Sequence, residues 1–339
     1  MRAPAFWWQD SPGPLARLLS PLGFVYGRVA AGRLGRAGAR AAMPVVCVGN
    51  FTAGGAGKTP AALAIAGLLI AAGRHPAFLT RGYGGRMAGP VRVEPGHDAG
   101  EVGDEPLLLA RCAPTIVSRD RPAGADMARA IGADVLVMDD GLQNPSLVKD
   151  LAIAVVDGRT GLGNGLPLPA GPLRAPLEAQ WPAIDAVLVV GEGAAGARVA
   201  KAAGERGKPV FRATVKPEDG PAAGLRGARV LAFAGIARPE KLFDTLRDCG
   251  AIVAATRSFP DHHPFAAADL AELRDAAGRQ GLSLVTTEKD LARIGPAAAG
   301  GDIRALPVRL HVDAPSRWRD FILAGVLARD AGALPGRGP

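Results

Sequence analysis

The segment Gly54-Gly55-Ala56-Gly57-Lys58-Thr59 constrains this 339-residue chain more than any other stretch. It follows the apolar, β-branched run Pro44-Val-Val-Cys-Val-Gly49 and opens an apolar stretch over 59–72 that reads as a helix. A glycine-rich turn between a strand and a helix aims backbone N–H groups at an anion, at the positive end of the helix dipole. Lys58 adds a point charge for β- and γ-phosphate oxygens, and the Thr59 hydroxyl adds a ligand for Mg²⁺. The expected nucleotide-binding loop is Thr52, Ala53, Gly54, Gly55, Ala56, Gly57, Lys58 and Thr59. The strict pattern G-x-x-x-x-G-K-[ST] would put Gly at position 52, so the strand–loop–helix setting carries the assignment.

Further β-branched runs at 77–80, 115–118, 134–138, 151–156 and 186–190 alternate with helical stretches, which predicts a parallel sheet covered on both faces. After a polar stretch near 216–224 the pattern restarts at 230–234, 252–255, 283–286 and 304–311. The expected fold is an α/β, P-loop NTPase-like parallel sheet flanked by helices, with a second, smaller α/β lobe and an N-terminal amphipathic helix. The expected divisions are 1–40, a core at 41–224, and a lobe at 225–330 that closes a cleft.

At 48% hydrophobic and 21% charged residues, the composition excludes a disordered tail or a collagen. Cys47, Cys112 and Cys249 have no metal-ligand or disulfide spacing, which fits a reducing compartment. The longest plain apolar run, 61–72, falls short of the ~20 residues that cross a bilayer, and no secretory signal is expected. Residues 1–40 hold six arginines against one acid, Asp10, and so carry most of the chain's net charge of +8. With Phe6, Trp7, Trp8 and leucines at helical spacing, this segment suits either an anionic membrane interface or a basic helix packed on the core. No nucleic-acid module accompanies the charge, so nucleic acid is not an expected partner.

Asp139 and Asp140 end the apolar strand that begins at Asp134, where a carboxylate beside a phosphate loop suits Mg²⁺. Asp104, in Gly103-Asp-Glu-Pro106, reads either as a general base or as the N-cap of a helix at 107–111. His262, in Asp261-His-His263, reads as a proton-transfer group or a surface histidine. Arg81, Arg86, Arg119 and Arg121 are candidate phosphate contacts at strand ends, and Gln143 is a candidate contact or turn residue. Gly191-Glu-Gly193-Ala-Ala-Gly196 imitates a dinucleotide fingerprint, but no acid ends the next strand at 209–212, which argues against a binding role.

Together these segments resemble the tetraacyldisaccharide 4′-kinase family of the lipid A pathway. The likeness runs through Val48–Pro60, Arg81–Arg86, Gly103–Pro106 and Asp139–Gln143, then Gly163-Asn-Gly165 and Leu168–Arg174, and on to Phe259–His262 and Thr286–Asp290. It implies an ATP- and Mg²⁺-dependent phosphotransferase acting on the 4′-hydroxyl of a tetraacyldisaccharide 1-phosphate. It further implies that Asp104 is the catalytic aspartate, that His262 assists it across the cleft, and that Thr59 and Asp139 hold magnesium. Thr or Ser is usual at position 52 in that family. Ala175 departs from the family's usual Glu, and no role is carried to it. A lipid acceptor favours the membrane reading of residues 1–40. The expected setting is therefore peripheral, on the cytoplasmic face of the inner membrane, with the protein a monomer. Competing readings are a synthetase acting on a soluble acid and a nucleotide switch. A guanine-type switch fails on Thr287-Glu-Lys-Asp290, where Lys comes one place late.

Overall fold

The computed structural model describes residues 3–330. The strands in chain order are β1 (Val45–Gly49), β2 (Pro76–Thr80), β3 (Val91–Arg92), β4 (Thr115–Val117), β5 (Val135–Asp139), β6 (Leu151–Asp157) and β7 (Ala186–Val190). They continue with β8 (Val210–Pro217), β9 (Arg229–Ala234), β10 (Ile252–Ser258), β11 (Ser283–Thr287), β12 (Ile303–Leu306) and β13 (Val308–Val312). Nine form one sheet in the order β13-β8-β7-β6-β1-β5-β2-β4-β3, and four form a second in the order β10-β9-β11-β12. The large sheet is parallel except at its edges, where β13 runs against β8 and β3 against β4. The small sheet is wholly parallel.

Every residue of β1, β5 and β6 is buried, as expected for central strands with packed layers on both faces. One layer includes Phe51 and Trp181, whose rings meet edge to face at 5.2 Å, and the other includes Ile65 and Leu69 of the helix Lys58–Ala71. β1 lies between β5 and β6. The loops that leave the carboxyl ends of these three strands therefore share one edge, where parallel sheets bind ligands.

Two expectations change in three dimensions. The run at 304–311 is not one strand: the chain breaks at Pro307, which lacks a backbone donor, and β12 and β13 join different sheets. The helix Pro315–Asp330 then packs Trp318, Ile322 and Val326 into the large sheet's core. The end of the expected 225–330 lobe thus returns to the first.

The N-terminal helix, Pro14–Leu34, inverts the usual amphipathic arrangement. It buries Ala16, Gly23 and Gly27, while Leu15, Leu18, Leu22, Val25 and Val29 are exposed. A Cβ on Gly23 would meet Ala170 Cβ at 3.1 Å, and one on Gly27 would meet Pro176 at 3.1 Å, so the small residues permit close docking. No helix among the described residues is long and apolar enough to cross a membrane.

Candidate active site

The phosphate loop joins β1 to the helix Lys58–Ala71, and Gly57 caps that helix at φ 93°, a left-handed conformation suited to glycine. Gly57 supplies no side-chain cap, so the first-turn N–H groups keep their capacity for an anion. Asn50, fully buried, shapes the loop by donating from Nδ2 to the Gly54 carbonyl at 3.1 Å. The expected contact at Ala53 is corrected: its N–H donates to the Pro172 carbonyl at 2.7 Å and is occupied within the protein. Thr52 bridges to Leu173 and is buried, so it belongs to the loop's scaffold.

Thr59 Oγ1 donates to Asp139 Oδ2 at 3.3 Å, which joins the two expected magnesium positions in one buried contact. Asp139 Oδ1 is buried with no hydrogen-bond partner. Burial and then the nearby Glu105 charge push this carboxyl well above the ordinary range. A buried carboxylate with a spare oxygen beside a hydroxyl fits a hard cation. Among the described residues no group of three His, Cys, Asp or Glu is arranged to hold a metal ion, so phosphate oxygens and water would complete the shell.

Asp140 differs from its neighbour. Arg174 clamps both its oxygens, Nη1 to Oδ1 at 2.8 Å and Nη2 to Oδ2 at 3.0 Å, while Lys58 Nζ lies 3.8 Å from Oδ2. The charges of Lys58 and Arg174 overcome the effect of burial and hold this carboxyl below its usual range. With both oxygens committed to Arg174, Asp140 does not fit the metal role expected for it, and of the two carboxylates only Asp139 keeps a spare oxygen. Arg174 was not a candidate in the sequence, since nothing there reveals its bidentate partner.

Asp104 starts the short helix Asp104–Leu109, whose N-cap is Gly103, so the N-cap alternative and the 107–111 helix boundary are both corrected. The Asp104 side chain is 3% exposed, with Oδ2 lying 3.0 Å from Arg293 Nε and 3.5 Å from His262 Nδ1. Oδ1 accepts the Glu105 N–H at 3.0 Å. Burial alone would raise its pKa, but the His262 hydrogen bond and the charges of Lys289 and Arg293 hold it far below the usual carboxylate range. The same hydrogen bond raises His262 above its ordinary value. His262 has φ 58°, and its ring lies 5.4 Å from that of Tyr83. Asp104 belongs to the large sheet's layer and His262 follows β10 of the small sheet, so this pair spans the cleft.

A second pair spans it beside them: Lys289 Nζ donates to Glu105 Oε1 at 2.6 Å. The Lys289 charge holds Glu105 low, and Glu105 in turn raises Lys289 against the effect of burial. Glu105 also lies within electrostatic reach of Lys58 and Asp139, which makes the phosphate loop and the Asp104 cluster one continuous site.

The remaining candidates scatter. Arg81 and Arg86 are exposed, as the glycine-rich loop after β2 leaves them. Arg121 is buried, donates to the Ser118 carbonyl at 2.9 Å and lies within electrostatic reach of Asp140 and Asp139. Gln143 spends its amide donors on the Asn50 carbonyl and on Gln180 Oε1, both at 2.8 Å, so it braces the loop from below. The Gly191–Gly196 turn is a packing device: a Cβ on Gly193 would lie 2.4 Å from the Gly158 carbonyl oxygen.

The family described as tetraacyldisaccharide-1-P 4′-kinase matches residues 15–326. A tetraacyldisaccharide 4′-kinase from Methylobacterium nodulans is 63% identical over 316 residues, 93% of either chain. One from Rhodopseudomonas palustris is 54% identical over 326 residues, covering 95% of this chain and 96% of its own. The crystal structure of LpxK from Aquifex aeolicus in complex with ATP superposes with a TM-score of 0.74 at 25% identity, covering 92% of this chain and 99% of that one.

Proposed function

The chain belongs to the tetraacyldisaccharide 4′-kinase family, and from that premise we propose how its residues carry the reaction. It is an ATP-dependent phosphotransferase of lipid A biosynthesis that acts on a hydroxyl and uses Mg²⁺ with ATP. The phosphate loop holds the triphosphate, with Lys58 at the β/γ oxygens. Thr59 and Asp139 hold Mg²⁺, which when bound supplies charge neutralisation on the phosphates. Asp104 accepts the proton of the sugar 4′-hydroxyl, and His262 orients the carboxylate. The observation that carries this reading is the buried Asp104 carboxylate paired with the more exposed His262 ring of the other lobe. Such a base is complete only when the cleft is closed.

The acceptor's acyl chains direct the protein to a membrane. In the N-terminal helix Leu18 is 75% and Leu22 60% exposed, with Arg17, Arg28 and Arg33 also exposed on the same helix. That surface suits the boundary between acyl chains and anionic headgroups, and we read it as peripheral attachment to the cytoplasmic face of the inner membrane. The helix docks on the loop around Pro167–Pro176, which pairs with Thr52 of the phosphate loop, so lipid and nucleotide sites share a scaffold. Residues 41–224 and 225–306 act as the two halves of the cleft.

Incubating the full chain with γ-labelled ATP, Mg²⁺ and tetraacyldisaccharide 1-phosphate tests the reading. Label recovered on the 4′-oxygen of the lipid is expected. Label recovered only as inorganic phosphate, with or without lipid, is the mark of a nucleotide switch and would overturn it.

A further inference from the structure

Arg293, in the helix Glu288–Ile294 of the smaller lobe, has no part in the scheme above, yet its side chain is only 6% exposed. Its Nε donates to Asp104 Oδ2 at 3.0 Å. Its Nη1 donates to the Gly235 carbonyl and to Asp290 Oδ1, both at 2.8 Å. The same Gly235 carbonyl accepts the backbone N–H of His262 at 3.0 Å. One guanidinium thus reaches both members of the pair, the carboxylate directly and the histidine through a shared carbonyl.

The anchor behind it is well made. Asp290 is fully buried and accepts from the Gly235 N–H at 3.1 Å and from the Thr287 hydroxyl at 2.7 Å. A Cβ on Gly235 would come within 3.2 Å of Arg293 Nη1, Asp290 Oδ1 and His263 Cβ, so this junction has no room for a larger residue. A planar guanidinium donates from separate nitrogens held in one rigid plane, here Nε and Nη1, whereas an ammonium carries all its donors on a single rotating atom.

We infer that Arg293 is a positioning residue, carried by the smaller lobe, that sets the Asp104 carboxylate and the His262 backbone in their working arrangement when the lobes meet. The inference rests on the reading of Asp104 as the base. Asp104 is faced by His262 from the loop after β10, which has Asp261 beside it, by Lys289 and Arg293 from the helix Glu288–Ile294, and by Glu105 from its own helix. Arg293 and Lys289 both favour the ionised carboxylate, so removing Arg293 moves the acid limb of the rate profile to higher pH.

The test compares Arg293→Lys, Arg293→Met and Asp104→Asn, together with the Arg293→Lys/Asp104→Asn double variant, in the full chain. The substrates are ATP–Mg²⁺ and tetraacyldisaccharide 1-phosphate in detergent micelles. Arg293→Lys should lower kcat roughly 10²-fold, as expected when a reacting group shifts by about 1 Å, with the KM for ATP unchanged. Arg293→Met should in addition raise the acid limb of kcat against pH. In the Asp104→Asn background Arg293→Lys should cost nothing further, because the group it positions is already gone. Near-normal kcat in a folded Arg293→Lys protein would overturn the inference. So would the full loss recurring in the Asp104→Asn background, or a change confined to the acceptor KM, which would make Arg293 a substrate contact. Should Arg293→Met fail to fold, the lysine variant and the double variant decide the matter. A fully active Asp104→Asn protein would instead overturn the reading of the base, so the two failures are distinguishable.

Discussion

Asp104 is surrounded by cations, and that environment works against its basicity while keeping it ionised. For the base we propose, weak basicity suffices because phosphoryl transfer passes through a loose transition state, in which the hydroxyl proton is lost late and orientation carries most of the rate. In the proposed reaction Lys58 has a simpler task, a point charge at the phosphates. Lys58→Ala should abolish lipid phosphorylation while leaving the melting temperature nearly unchanged, since the side chain fills no core cavity; turnover near wild type would remove Lys58 from the site. His262 gives a pH signature. Its folded pKa lies above the ordinary 6.5, so the stability it contributes is full below pH 6.5 and is lost as the pH rises through the folded value. The melting-temperature gap between wild type and His262→Ala should therefore be widest below pH 6.5 and narrow above it. A gap independent of pH would contradict the ion pair.

Elements were legible in the sequence where a local pattern reports a local environment. β1, β5 and β6 are unbroken apolar runs because both their faces are covered, and the Gly54–Thr59 turn announces its own geometry. The run at 304–311 misled because apolar residues on either side of Pro307 serve two different sheets, which periodicity cannot distinguish. In the N-terminal helix the apolar spacing was legible but its direction was not: the glycines face the protein, and the leucines and valines face out. Changing Leu18, Leu22 and Val25 to Ser or Gln should accordingly move the protein from sedimented anionic vesicles to the supernatant without lowering its melting temperature. Each exposed apolar side chain is worth up to about 1.5–3 kcal/mol when buried in the interface. Retention on the vesicles would place the anchor elsewhere, and a large fall in melting temperature would mean that these side chains pack on the protein.

At the scale of the molecule, two lobes meet through ion pairs that join distant parts of the chain. Glu105 with Lys289 and Asp104 with His262 and Arg293 close one side, and Asp157 with Arg238 and Lys241 joins β6 to the loop and helix after β9. Asp104 and His262 were legible only as members of short motifs, each with a bland alternative, because their meaning lies in a contact across the cleft. Glu105, Arg174 and Lys289 were legible only as members of matching motifs with no role assigned, and Arg293 lay outside every motif, since a charged residue's partner is fixed by tertiary structure. In the proposed reaction the contacts between the lobes complete the base. The most direct measurement is therefore the lipid-kinase kcat of Asp104→Asn beside its affinity for ATP. Asn keeps the size and most of the hydrogen bonding but cannot accept the proton, so kcat should fall by roughly 10²–10⁴ while ATP binding is retained. Wild-type turnover in that variant would contradict the assignment of Asp104 as the base.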